Sequence, residues 1–266
     1  MNTHELRAAL RDLPLGGVRF FESIGSTNDE ALAWASQGAT DLSIVIADEQ
    51  TSGRGRLGRK WFTPPQAALA FSLILHPTAD KIKYPARVTG LGALALTDVI
   101  ASFGLHAQIK WPNDILLNQK KAAGILVESV WMGDAPEAFV LGMGINVLAS
   151  SVPPADQVLF PATNIETESG QAMDRGKLLH DVLSSLIMWL PKIGTDEFIK
   201  TWEASLAFRG EEIQLIKENE PPLSGELIGL EPDGSLRLKV NNNSLTVKIG
   251  EIHLRRAGDR ILNQER

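Results

Sequence analysis

The chain has no cysteine. Disulfides, thiolate nucleophiles, cysteine-bound zinc and iron–sulfur clusters are thereby excluded, and a reducing cytoplasm is the expected compartment. No apolar run approaches the ~18 to 20 residues that cross a bilayer, so no membrane partner is expected. Residues 1–14 lack a basic region followed by an apolar run, so a secretory signal is not expected either. Positive charge is also in short supply: the formal net charge is −6 over 266 residues, which speaks against a surface built for nucleic acid. The five histidines (His4, His76, His106, His180 and His253) show no metal-ligand spacing, and no G-x-S-x-G elbow accompanies them. Zinc sites and hydrolase triads are set aside on that ground. What remains is a chain 44% hydrophobic and 22% charged, enough for one large core and a small second one.

Local pattern predicts an α/β (α+β) protein, a mixed sheet covered by helices. Strands are expected at 18–24, 43–47 and 68–75, with a helix opening at Thr27, whose hydroxyl stands three residues before the Glu30 carboxylate as in a capping box, and ending at Gly38. An apolar helix is expected over 86–103, stopped by Gly104. Short β-like runs at 107–110, 114–117, 122–130 and 138–147 predict antiparallel hairpins, and 175–189 and 196–206 read as amphipathic helices. After residue 207 the texture changes to short alternating strands at 212–216, 225–230, 236–240 and 245–249. The expected division is therefore a first domain over 1–207 and a small all-β barrel over 208–266.

Against the acidic balance, GRGRLGRKW at 53–61 gathers Arg54, Arg56, Arg59 and Lys60 among glycines. The run matches G-x-G-x-x-G in form, but Lys60-Trp61-Phe62-Thr63-Pro64-Pro65 follows where a dinucleotide site needs a helix. Nor does the glycine-to-lysine run at 170–177 make a Walker A, because Leu178 stands where Ser or Thr is required. A glycine-jointed loop bringing arginine forks to carboxylate or phosphate oxygens is one account; a solvated basic loop or an RNA contact is another. Ser26, Thr27 and Asn28 fit either a helix cap or contacts to a polar ligand. Gln50 closes a polar cluster at a strand end, where α/β sheets place ligands. Asn113 and Asp114 offer an amide and a carboxylate for a metal-bound phosphate, or else stabilise a turn. Lys121 opens an apolar strand, and Gly142 and Gly144 flank Met143 in another, where glycine is costly unless something must approach closely.

Taken together, STN at 26–28, EQTSGRGRLGRKWFTP at 49–64, KWPNDILL at 110–117, KAAGILVE at 121–128 and GMGINV at 142–147 resemble bacterial biotin protein ligases in order and spacing. The specific motifs cover 26–147; the β-rich tail resembles the family's C-terminal SH3-like barrel in pattern alone. Some family members begin with a winged-helix DNA-binding domain. Here the motifs start too early for one, so the monofunctional type, without a DNA partner, is expected. The resemblance implies that ATP, with Mg²⁺, and biotin give biotinyl-5′-AMP, and that a lysine of a biotin carboxyl carrier protein then takes the biotinyl group. It implies that Ser26, Thr27 and Gln50 meet the ureido ring, supported by Asn28. Arg54, Gly55 and Arg56 form the loop over biotin and phosphate, with Arg56, Arg59 and Lys121 as the catalytic cations. Arg59, Trp61, Asn113 and Asn146 lie toward the nucleotide, and Asp114 in the Mg²⁺ region. Leu57 departs from the family, where a further arginine is common. A lipoate ligase or octanoyl transferase of similar fold, a nucleic-acid-binding regulator and a noncatalytic biotin binder are the competing accounts, and the assembly is a monomer or a homodimer.

Overall fold

The computed structural model describes residues 3–77, 85–158, 160–217, 221–249 and 252–256. A short helix α1 (Thr3–Leu10) leads into β1 (Gly17–Ile24), α2 (Thr27–Ser36), β2 (Ser43–Gln50) and β3 (Ala68–Leu75). Then come α3 (Pro85–Ser102), β4 (Ala107–Lys110), β5 (Asp114–Leu117), β6 (Lys120–Met132) and β7 (Ala135–Asn146). The helices α4 (Ile165–Ser169), α5 (Arg175–Trp189) and α6 (Asp196–Ala204) complete this part. Its sheet has seven strands in the order β1-β2-β3-β7-β6-β5-β4. Only β1 and β2 run parallel; the remaining neighbours are antiparallel.

The core is written in the alternation of the strands. In β2, Ile44 and Ile46 face the large core with α3 and α5, while Val45 faces a smaller cluster with Ala31 and Ala35 of α2. In β3 every residue is buried, because helices cover both faces of the sheet there. No helix of the described residues is long and apolar enough to cross a membrane.

A separate antiparallel sheet follows, in the order β11-β10-β9-β8-β12: β8 (Glu212–Lys217), β9 (Leu223–Leu230), β10 (Leu236–Val240), β11 (Asn243–Val247) and β12 (Ile252–Arg256). The mixed sheet flanked by helices and the separate small β unit are as the sequence predicts. α1, α4 and β12 were not expected. The strand expected at 245–249 is Asn243–Val247. The α2 cap is Ser26, in extended conformation, and not Thr27. The box with Glu30 does not form, because Gln50 reaches across from β2 to accept the Thr27 N–H at 2.9 Å, and Glu30 instead pairs with Arg19 at 2.6 Å.

Candidate active site

The ends of β2, β5, β6 and β7, the start of α2 and the loop after β2 enclose a cavity of about 130 Å³. At one end the polar groups are neutral and answered. Gln50 Oε1 accepts from Thr27 N and from Thr27 Oγ1 at 3.1 Å, and Gln50 Nε2 donates to Thr63 Oγ1 at 3.0 Å. Ser72 Oγ donates to Asn28 Oδ1 at 2.6 Å and stands 2.8 Å from Thr27 Oγ1. Asn28 Nδ2 donates to Glu128 Oε2 at 2.8 Å and to the Leu126 carbonyl. Ser26, Thr27 and Asn28 are buried, so these bonds sit where an unanswered polar group is expensive.

The glycines of β7 and β6 are explained by what lies over them. A Cβ at Gly142 would fall 2.0 Å from Asn28 Oδ1, and one at Gly144 2.2 Å from Trp61 Nε1. One at Gly124 would meet Trp61 Cζ3 at 3.0 Å. Glycine lets the indole and the amide lie directly on the backbone.

The arginine loop is a small hairpin: Arg54 bridges to Lys60, Gly55 N donates to the Arg59 carbonyl at 2.7 Å, and Trp61 N to the Gly53 carbonyl at 2.8 Å. Its tip is a 3₁₀ turn, Arg56–Gly58, in which Leu57 adopts the left-handed conformation (φ 59°) that favours glycine. Arg54 is spent on structure. Its Nη1 and Nη2 grip Glu128 at 2.9 and 2.6 Å, and Nη2 also lies 2.7 Å from Asp29 Oδ1. The Glu128 carboxylate holds the Arg54 guanidinium above its ordinary pKa. Arg56 and Arg59 face the cavity. Burial pulls both below the ordinary arginine value, with the Asp114 carboxylate opposing that pull.

At this charged end Arg56 Nη1 donates to Asn113 Oδ1 at 3.2 Å, and Asn113 Nδ2 donates to the Ile125 carbonyl at 2.9 Å. Lys121 Nζ stands 2.6 Å from Asp114 Oδ1 and 5.2 Å from the centre of the Trp61 ring. The backbone of Lys121 is pinned on both sides, its N–H donating to the Pro161 carbonyl and its carbonyl accepting from Thr163 N. Among the described residues lining the cavity Asp114 is the only acid, against Arg54, Arg56, Arg59, Lys60, Lys110 and Lys121. Such a wall suits a ligand whose head is neutral and polar and whose tail is anionic.

Thus Ser26, Thr27, Asn28, Gln50, Arg54, Gly55, Arg56, Arg59, Trp61, Asn113, Asp114 and Lys121 meet around one cavity. Asn146 does not line it. Its side chain is buried and donates to the Thr163 carbonyl at 2.9 Å, bracing the segment that pins Lys121. Residues singled out only by the structure are Ser72 and Glu128, which tie the neutral end together, Lys110 with its ammonium over the Phe160 ring, and Leu254 of β12. Glu128 closes a motif visible in the sequence, but its partners lie 74 and 100 residues away.

The biotin/lipoate A/B protein ligase family matches over residues 20–146. The chain is 34% identical to a biotin–[acetyl-CoA-carboxylase] ligase of Paracoccus denitrificans, over 80% of this chain and 90% of that one. It is 35% identical to the bifunctional ligase/repressor BirA of Bacillus spizizenii, over 69% of this chain and 57% of that protein's length. Among solved structures, the biotin protein ligase from Aquifex aeolicus in complex with biotin and ATP superposes with a TM-score of 0.76 at 27% identity, covering 91% of this chain and 99% of that one. Fold and site together define a ligase of carboxylic acids. The chain belongs to the biotin/lipoate protein ligase family.

Proposed function

We infer that this protein joins biotin to ATP to form biotinyl-5′-AMP and passes the biotinyl group to a lysine of a biotin carboxyl carrier protein. In the first step a biotin carboxylate oxygen bonds to the α-phosphorus, the bond to the bridging oxygen breaks, and pyrophosphate leaves. In the second the carrier's ε-amine bonds to the acyl carbon, AMP leaves, and the amine loses a proton. The protein supplies no nucleophile of its own.

The observation that carries this reading is the crowd of cations around one carboxylate at one end of a cavity whose other end is lined by the uncharged, hydrogen-bonded side chains of Thr27, Asn28 and Gln50. A carboxylate approaching a phosphate brings two anions together, and fixed cations stabilise the charge that builds between them. Lys121, pinned on a strand, is assigned to the biotin carboxylate and the α-phosphate; Arg56 and Arg59 are assigned to the phosphates, with Trp61 and Asn113 beside the nucleotide. Thr27 and Gln50 are assigned to the ureido ring, whose carbonyl and N–H groups match an amide–hydroxyl pair, with Ser26 beside them. Asn28 and Arg54 support that wall.

Mg²⁺ is assigned to the cosubstrate and not to a resident site. Asp114 is engaged by Lys121, and no group of carboxylates or histidines among the described residues makes a metal site. A magnesium ion that keeps its waters and is held through phosphates needs no more than one such carboxylate. The division at residue 207 and a cytoplasmic setting, fitting for a cysteine-free chain that consumes ATP, belong to the same proposal.

Incubation with ATP, Mg²⁺, biotin and a carrier domain should add one biotinyl group to the carrier, read by intact mass. A carrier that gains no biotinyl group here but gains a lipoyl group when lipoate replaces biotin would overturn the assignment.

A further inference from the structure

Behind the charged end runs a seam with the C-terminal sheet. Trp111 directly precedes Pro112, Asn113 and Asp114; it is 2% exposed and its indole N–H donates to the Gly234 carbonyl at 3.0 Å. Gly234 lies in the turn between β9 and β10, at a φ of +86°. That turn is held from elsewhere too. Arg87 of α3, also buried, donates from Nε to the Pro232 carbonyl at 2.8 Å and from Nη1 to the Ile193 carbonyl at 2.6 Å. Trp202 of α6 closes the other side, its Cζ3 2.8 Å from where a Gly234 Cβ would stand. The backbone that presents Asn113 to Arg56 and Asp114 to Lys121 therefore starts at a side chain tied to the other sheet.

We propose that Trp111 is a positioning residue for adenylation: its bond to the Gly234 carbonyl fixes the turn carrying Asn113 and Asp114, and through it the C-terminal sheet sets the charged end of the site. The inference rests on the ligase reading above. It predicts a division of labour, because the neutral end is held by α2, β2, β3 and β6 and its hydrogen bonds involve none of Trp111, Arg87, Trp202 and Gly234. Small misplacements at a reacting centre are costly even when they originate at a side chain that does not touch the substrate.

Trp202 provides the control. It is as buried in the same seam, but its indole nitrogen has no hydrogen-bond partner among the described residues. Trp111→Phe and Trp202→Phe each keep a ring and remove the N–H. Biotin-dependent pyrophosphate release over a range of ATP, biotin affinity by calorimetry, and Tm should be measured for both. In W111F, kcat/KM for ATP should fall about tenfold with biotin affinity unchanged, while W202F stays within about twofold of the unmodified protein. Equal kcat/KM in W111F and the unmodified protein overturns the inference, as does a loss in both variants that follows Tm. Should W111F fail to fold, Arg87→Lys, whose single ammonium lacks the planar fork that spans the Pro232 and Ile193 carbonyls, carries the same expectation and the same overturning result. An unmodified protein that releases no pyrophosphate overturns the ligase reading, and this inference with it.

Discussion

At the end of the cavity formed by Thr27, Asn28, Gln50 and Ser72, each polar side chain meets a neighbour of matched character, donor to acceptor. At the other end Arg56, Arg59 and Lys121 gather about Asp114, and the arginines are held against the pull of burial. The first end is prebuilt: a ligand adds bonds to a network that already stands. The second is provisional under the proposed function, in which an incoming phosphate would replace Asp114 as the partner of the cations. Affinity for the neutral head and chemistry at the anionic tail should therefore respond to different substitutions.

The largest separation is expected from Lys121→Ala. Removing a fixed cation from developing charge should cut biotin-dependent pyrophosphate release by about 100-fold or more, with Tm little changed because Lys121 is partly exposed at a strand start. Near-normal release would remove Lys121 from the mechanism. Gly142→Ala strikes the opposite end: its methyl group needs the place of Asn28 Oδ1, undoing the bonds to Ser72 and Glu128. Biotin affinity should weaken about tenfold and stability fall by about 1 to 3 kcal/mol, read by calorimetry and thermal melting. Arg56→Ala should fold normally yet release preformed adenylate about tenfold faster in a stopped-flow chase, since one charge-assisted bond to the phosphate is lost.

The smallest effect lies outside the cavity. Hydrogen bonds to Asp181 and then to Asp12 raise the pKa of His180 above its ordinary value. A raised folded pKa means that this tie between α5 and the segment after α1 is complete below the ordinary histidine pKa and is lost as pH rises through the raised one. Amide exchange in α1 should accelerate beyond its intrinsic pH dependence as pH rises past the ordinary histidine pKa, and His180→Gln should abolish the excess.

Elements with strong periodicity were legible from the chain: the alternating and fully apolar strands, the long apolar α3, and the β texture after residue 207. α1 was not, since eight residues of mixed charge and apolarity are a helix chiefly because Leu6 and Leu10 insert into the core. Motifs exposed the cavity's walls but not how the side chains divide among themselves. Arg54 reads like its neighbours in the sequence, yet Glu128 removes it from the charged end and makes it a strut for Asn28. Asn146 sits in a motif and turns away from the cavity to hold Thr163. Ser72 is a hydroxyl inside an apolar strand whose meaning depends on α2 arriving above it. Each of these is a long-range pairing, and local pattern carries no record of the partner.

The central claim is that cations at one end of the cavity bring a carboxylate and a phosphate together. The most direct measurement compares the affinities of biotin and its uncharged carboxamide for the unmodified protein and for Lys121→Ala. The account predicts that the unmodified protein prefers the carboxylate and that most of this preference vanishes in the variant, while binding of the carboxamide is unchanged. An equal preference in both proteins would contradict it.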